Sequence, residues 1–121
     1  MGFLNWFTHN LADTDEPGDP QVTPLDLPLP LPEALAWVEK VIGVLPRWRV
    51  EAVEREAGVI RATRRTRLWR FIDDVTIRLE ATATGTRLHA RSQSRVGKGD
   101  FGQNRRNLLA LFRALRSPPT A

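Results

Sequence analysis

The chain has 121 residues, no cysteine and a formal net charge of +4. One domain of that length can bury one modest core, and the absence of cysteine excludes a disulfide scaffold and a thiolate zinc site. No apolar run approaches the roughly 20 residues that cross a bilayer, and the opening Met1-Gly2-Phe3-Leu4-Asn5-Trp6-Phe7 lacks the basic region of a secretory signal, so a cytoplasmic protein is expected.

The net charge conceals a division. Residues 1–33 sum to −6 and residues 34–121 to +10. The body therefore calls either for an anionic partner or for a tail that screens it.

Residues 1–12 read as a short amphipathic segment. Phe3, Leu4, Trp6 and Phe7 are available to dock on the body or to make weak peripheral contact with a membrane. Pro17, Pro20, Pro24, Pro28, Pro30 and Pro32 follow. Proline removes backbone donors and fixes φ, so residues 13–32 are expected to be an acidic, extended linker outside any helix or sheet. A helix starts near Pro32 and Glu33. Leu35, Val38, Ile42 and Leu45 recur at helical spacing, and Pro46 ends it.

Two hairpins come next. Residues 47–56 and 60–68 flank Ala57-Gly58-Val59, a three-residue loop that sets Trp48 against Leu68 and Val50 against Thr66. In the second hairpin apolar and polar residues alternate on both strands. A Thr84-Gly85 turn pairs Leu79 with Ala90, Ile77 with Ser92 and Val75 with Ser94. On the other face it pairs Asp74 with Arg95, Glu80 with His89 and Thr76 with Gln93. A slip by one residue would destroy both faces. The closing helix has the spacing of a capping box, with Asp100 at N-cap and Gln103 at N3; Leu108, Leu111, Phe112 and Leu115 line its apolar face.

The expected fold is α+β, in the order α-β-β-β-β-α. A four-stranded antiparallel sheet carries two helices on one face, within a single domain over residues 33–117 and ahead of a tail at 118–121. The opposite face is polar and includes Arg65, Arg67, Arg78, Arg87, Arg91 and Arg95.

Two polar elements stand out: Asp73-Asp74-Val75, and the run from Arg91 through Ser92, Gln93, Ser94, Arg95, Val96, Gly97, Lys98, Gly99, Asp100, Phe101, Gly102, Gln103 and Asn104 to Arg105. In these elements the chain resembles the bacterial and plastid family called domain of unknown function 1499. Its members carry Asp-Asp-Val followed by Arg-Ser-x-Ser-Arg-x-Gly-x-x-Asp-x-Gly-x-Asn-Arg. The resemblance covers about residues 33–116 and implies no known activity, because the family is uncharacterised. Many members have membrane-spanning or lipid-anchored N-terminal segments; this chain shows none, so membrane attachment is not expected to carry over.

Strand parity puts the Asp73 carboxylate on the apolar face, where it needs hydrogen bonds. Asp74 and Arg95 read as a cross-strand ion pair, and Ser92 and Ser94 as inward groups that satisfy buried polar atoms. Asp73, Asp74, Ser92, Ser94, Asp100, Gly102, Gln103 and Asn104 form the structural part of the motif. Arg91, Arg95, Gly97, Lys98, Gly99 and Arg105 are the binding candidates, with the Gly97-Lys98-Gly99 turn as an anion nest. Neither Ser-His-Asp nor Gly-x-Ser-x-Gly occurs. The arginines would oppose a metal ion, and no metal or cofactor is expected. Stacking aromatics are missing from the basic face, which argues against nucleic acid.

The expected function is therefore a non-enzymatic binding module for a small anion or an acidic protein segment. One alternative is an enzyme using Asp73 or Asp74 as acid or base on an arginine-held anion. In the other, the motif is purely structural.

Overall fold

The computed structural model describes residues 11–16, 19–66, 71–95 and 102–117. Their elements are β1 (Leu11–Asp13), β2 (Leu25–Leu27), α1 (Leu31–Val44), β3 (Trp48–Glu54), β4 (Val59–Arg65), β5 (Ile72–Thr82), β6 (Gly85–Ser94) and α2 (Gln103–Leu115). The Phe3–Phe7 run, Arg67, Gly97, Lys98, Gly99, Asp100 and the 118–121 tail lie outside the described residues.

Alternation along β5 and β6 gives each strand one face to bury. Val75, Ile77, Leu79, Leu88 and Ala90 all enter the core, together with Ile60 and Ala62 of β4. Both helices cover that inner face. Helix α1 contributes Leu35, Val38, Val41 and Ile42, and α2 contributes Leu108, Leu111, Phe112 and Leu115. The Trp37 indole N–H donates to the Leu115 carbonyl at 3.2 Å, tying the helices together. Among the described residues no helix is long and apolar enough to cross a membrane.

The α+β class stands, but the sheet has six strands rather than four. Strands β3, β4, β5 and β6 lie side by side in chain order, and both β1 and β2 pair antiparallel with the remaining edge of β6. Leu11–Asp13 covers Arg91–Gln93, and Leu25–Leu27 covers Thr86–Leu88. The segment expected to be a linker is thus a strap that closes one edge of the sheet. Its prolines explain how: Pro24 and Pro28 bracket a three-residue strand at the sheet's rim, where a missing donor costs no ladder bond. Asx turns shape the connection, with Asp13 Oδ1 accepting from the Asp15 N–H and Asp19 Oδ1 from the Gln21 N–H, each at 2.9 Å. Thr14 seals it, donating its N–H to the Ala90 carbonyl and accepting the Ala90 N–H on Oγ1.

Burial holds the strap more firmly than charge does. Val22, Leu25 and Leu27 are core residues, each worth about 1.5–3 kcal/mol. The ion pairs Asp15–Arg78 and Asp26–Arg87 are about half exposed or more, so solvent screening leaves each a small contribution.

The second hairpin register differs from expectation by two residues, and the first by four ahead of its bulge and three beyond it. The second turns at Ala83-Thr84, so Val75 faces Ser92, Ile77 faces Ala90 and Leu79 faces Leu88. A two-residue slip keeps every side chain on its face, which is why the faces agree while the partners do not. Gly85 is the first strand residue because β2 crosses it closely: a Cβ there would lie 2.2 Å from the Leu27 carbonyl oxygen. In the first hairpin Val59 already belongs to β4. The loop is Arg55–Gly58, with Gly58 at φ 69, and Trp48 faces Arg64 while Val50 faces Ala62. A bulge between Val50 and Ala52 shifts the rest of β3.

Gly85→Ala should cost about 2 kcal/mol, because the strap backbone must give way. Urea denaturation of the variant checks this; a midpoint equal to that of the unsubstituted chain contradicts it.

Candidate functional site

The inner face of the sheet is apolar along most of its length and turns polar at one end. There Trp48, Arg64, Asp73 and Ser94 stand side by side across β3, β4, β5 and β6. The next row inward is Val50, Ala62, Val75 and Ser92.

Helix α2 closes over these rows with Asn104 and Asn107, which are one turn apart and fully buried. Ser92 Oγ donates to Asn104 Oδ1 at 2.7 Å and accepts from Asn107 Nδ2 at 3.1 Å. Asn107 Nδ2 also donates to Asp73 Oδ2 at 2.8 Å. Asn104 Nδ2 reaches Ser94 Oγ at 2.9 Å, and Gln103 Nε2 reaches Asn107 Oδ1 at 2.7 Å. The carboxylate on the apolar face therefore has the hydrogen bonding that its burial demands. These bonds fasten the start of α2 to both strands of the second hairpin.

Arg64 adjoins this network. It shares the inner parity of Ile60 and Ala62 and is half-buried. Its Nε is enclosed and has no hydrogen-bond partner. Burial pushes the guanidinium below its usual range; the neighbouring Arg47 and Arg106 push the same way, and Asp73 opposes them. Arg47 is the one non-glycine with positive φ among the described residues, at 66°, and its carbonyl accepts the Arg65 N–H at 2.9 Å. Arg106 donates to Gln103 Oε1 at 3.1 Å, linking it to the network.

Of the binding candidates read from sequence, the described ones, Arg91, Arg95 and Arg105, stand at two different elements. Arg91 and Arg95 stand on the outer face. Arg91 donates to Gln93 Oε1 at 3.1 Å, and Arg95 grips both Asp74 oxygens at 2.8 and 2.9 Å. That pair is diagonal, since Asp74 lies directly opposite Gln93. Arg105 projects from α2 and donates to the Asp19 carboxylate and the Gln21 side chain of the strap. His89 sits between Asp15 and Glu80, at 2.7 and 3.0 Å. The capping box needs correction: Gly102 occupies the N-cap position at φ 81, and Gln103 is the first helical residue. Asp100 and the Gly97-Lys98-Gly99 turn fall outside the described residues.

Sequence reasoning missed Arg47, Arg64, Arg106 and Asn107. Parity with Ile60 and Ala62 was the available signal for Arg64, and the three-residue step from Asn104 was the signal for Asn107. Among the described residues no three His, Asp or Glu side chains converge as a metal site.

The family described as Protein of unknown function (DUF1499) matches residues 5–115. The chain belongs to this family. The match extends well ahead of residue 33, so the acidic strap is part of the DUF1499 domain rather than an appendage. No curated protein matches the chain.

Two outcomes follow from the geometry. Asn107→Ala withdraws a donor from a buried carboxylate and should cost about 3 kcal/mol, whereas Ser94→Ala at the half-exposed end should cost about 1 kcal/mol or less; urea midpoints that rank the other way refute the network's importance. The second concerns acid. The His89 hydrogen bond holds the Asp15 carboxyl below its usual range against the opposing pull of burial, with Arg78 assisting. At Asp19 burial pulls upward but is outweighed by hydrogen bonds from the Gln21 N–H and Arg105. A carboxyl whose folded pKa is depressed stabilises the fold above its unfolded value and loses that contribution as pH falls through the folded one. Below pH about 4 the Ala90 amide, bonded to the strap, should therefore lose hydrogen-exchange protection before the Ile77 amide in the sheet centre. Simultaneous loss of both contradicts the assignment.

Proposed function

We propose that this DUF1499 domain is a non-enzymatic module that binds anionic ligands, either a small anion or an acidic protein segment. The observation that carries the reading is the contrast at the polar end of the sheet. The motif's carboxylate, hydroxyl and amide groups are bonded to one another, while the guanidinium of Arg64 keeps an enclosed donor with no acceptor. A general acid or base must reach its substrate. Asp73 is 1% exposed and bonded to Asn107, and Asp74 is held by Arg95, so both carboxylates fit structural roles better than catalytic ones. The strap adds support, because the domain already holds carboxylates with Arg78, Arg87 and Arg105.

Thermal denaturation against a panel of anions at constant ionic strength tests the reading. Phosphate, sulfate and a poly-glutamate peptide are each compared with chloride. Binding to the native state raises the melting temperature by mass action, so at least one member should exceed chloride at millimolar concentration. Equal melting temperatures across the panel would sink the proposal.

A further inference from the structure

We propose that His89 is a pH-dependent clasp on the strap: its imidazolium ties Asp15 of the strap to Glu80 of β5, and loss of its proton loosens the strap at the edge of β6. The clasp operates whether or not an anion is bound.

His89 Nδ1 lies 2.7 Å from Asp15 Oδ1, and Nε2 lies 3.0 Å from Glu80 Oε1. Both ring nitrogens thus face carboxylate oxygens, which accept hydrogen bonds and donate none when ionised. A neutral imidazole has one N–H and one lone pair, so it satisfies one of these contacts and sets its lone pair against the other. The imidazolium has two N–H groups and satisfies both. The arrangement in the structure is therefore that of the protonated ring. The side chain is 15% exposed, which leaves water little room to replace a lost partner.

The position of the ring makes it a fastener. Asp15 follows Thr14, and His89 precedes Ala90; Thr14 and Ala90 exchange the two hydrogen bonds that seal the strap to β6. The strand ahead of this seal, β1, has three residues, all of them only half-buried. The far half of the strap is anchored by Val22, Leu25 and Leu27. His89 therefore acts on the half that burial holds least.

Surrounding charges set the strength of the clasp. Arg78 stands directly opposite His89 on β5 and pairs with Asp15 Oδ2 at 3.2 Å. It repels the imidazolium but keeps Asp15 ionised in front of the ring. The hydrogen bond from His89 is the main cause that holds the Asp15 carboxyl below its usual range. On β6 itself, Arg87 pairs with Asp26 of β2, and Arg91 stands opposite Asp13 of β1. Glu80 has Arg87 as its register partner, and Glu16 follows Asp15 in the strap. In line on β4 are Val59, which is uncharged, and Arg61, which is paired with Glu54.

Imidazole ordinarily gives up its second N–H at about pH 6.5. The folded chain holds the protonated ring by two contacts that the unfolded chain lacks. Their contribution is complete in mildly acidic solution and is lost as pH rises through that range. Release in acid, where Asp15 and Asp19 take up protons, bounds the other side. The strap is thus held most firmly between about pH 4 and about pH 6.

The test is amide hydrogen exchange of the full chain at about pH 5.5 and about pH 8, corrected for intrinsic exchange, in the unsubstituted protein, His89→Gln and Glu80→Gln. Protection of the Ala90 amide relative to the Ile77 amide should fall about threefold at the higher pH in the unsubstituted chain. His89→Gln has no titrating ring there. Glu80→Gln replaces an acceptor with an amide that can donate, so the neutral ring satisfies both sides. In both variants the fall should vanish, and Glu80→Gln decides the matter should His89→Gln fail to fold. Nitrogen NMR of the unsubstituted chain should show both His89 ring nitrogens protonated at the lower pH. A ring with one N–H under that condition, relative protection that does not change with pH, or a fall that persists in either variant overturns the proposal. His9 is the other histidine of the chain, and a response surviving in His89→Gln belongs there or elsewhere.

Discussion

The bond from Asn107 to Asp73 is the constraint on which the rest of the fold depends. Asp73 sits on the apolar face of β5 because strand alternation leaves it no other place. An ionised carboxylate stripped of water and left without donors would cost several kcal/mol, a large share of a small domain's total stability. Helix α2 supplies a donor through Asn107, but only when its first turns lie over β5 and β6. Ser92 then bridges the two asparagines and Ser94 extends the chain of bonds to the end of β6. An apolar interface would tolerate sliding of the helix along the sheet. This one does not, since a shift of one turn would leave several buried polar groups unpaired at once.

The sheet's two edges are protected by different means. The free edge of β6 is covered by β1 and β2; Asp26 of β2 meets Arg87, and Asp15 and Asp19 of the connection between the strands meet His89 and Arg105. The other edge, β3, carries a bulge near Glu51 and the exposed charges Arg49, Glu51 and Glu54. Bulges and charges both discourage strand addition by another chain. The acidic excess of residues 1–33 thereby acquires a local purpose. Two of its members, Asp15 and Asp26, pair with Arg78 and Arg87 on the outer face of β5 and β6 and partly screen it. Because Val22, Leu25 and Leu27 are core residues, the screening segment is also a load of buried surface that the body cannot lose without exposing its interior.

Legibility in the sequence followed the physics of each feature. Strand faces were readable because a period of two is a property of a single strand. Registers were not, because a shift by two or four residues leaves both faces unchanged and turn geometry alone must then decide. At Gly85 the deciding contact came from Leu27, some sixty residues earlier in the chain, a contact that local pattern cannot reveal. The strap was missed for a related reason. A count of prolines spoke for a linker, while the brief alternation Leu25-Asp26-Leu27 between Pro24 and Pro28 was the true signal, legible only once an open edge on β6 was known. Within the site, Asp73, Ser92 and Ser94 were legible as inward polar groups, and Asn104 only as a member of the motif. Arg64 shares the inner parity of Ile60 and Ala62, but alternation alone does not distinguish one inward arginine from those of the outer face.

The polar residues of this domain thus divide by whether the fold satisfies them. Asp73, Ser92, Asn104 and Asn107 are saturated with bonds and explain why the helix and hairpin belong together. Asp74 and Arg95 are saturated too, but on an exposed face where the pair contributes little to stability. Arg64 belongs to neither group: its donor is enclosed, its charge is opposed by two neighbours, and an apolar residue of similar length would pack there at lower cost. Its favourable electrostatic neighbour among the described residues is Asp73. The motif and Arg64 therefore meet at one end of the sheet, where the bonded polar groups fasten helix to hairpin and Arg64 stands beside their carboxylate.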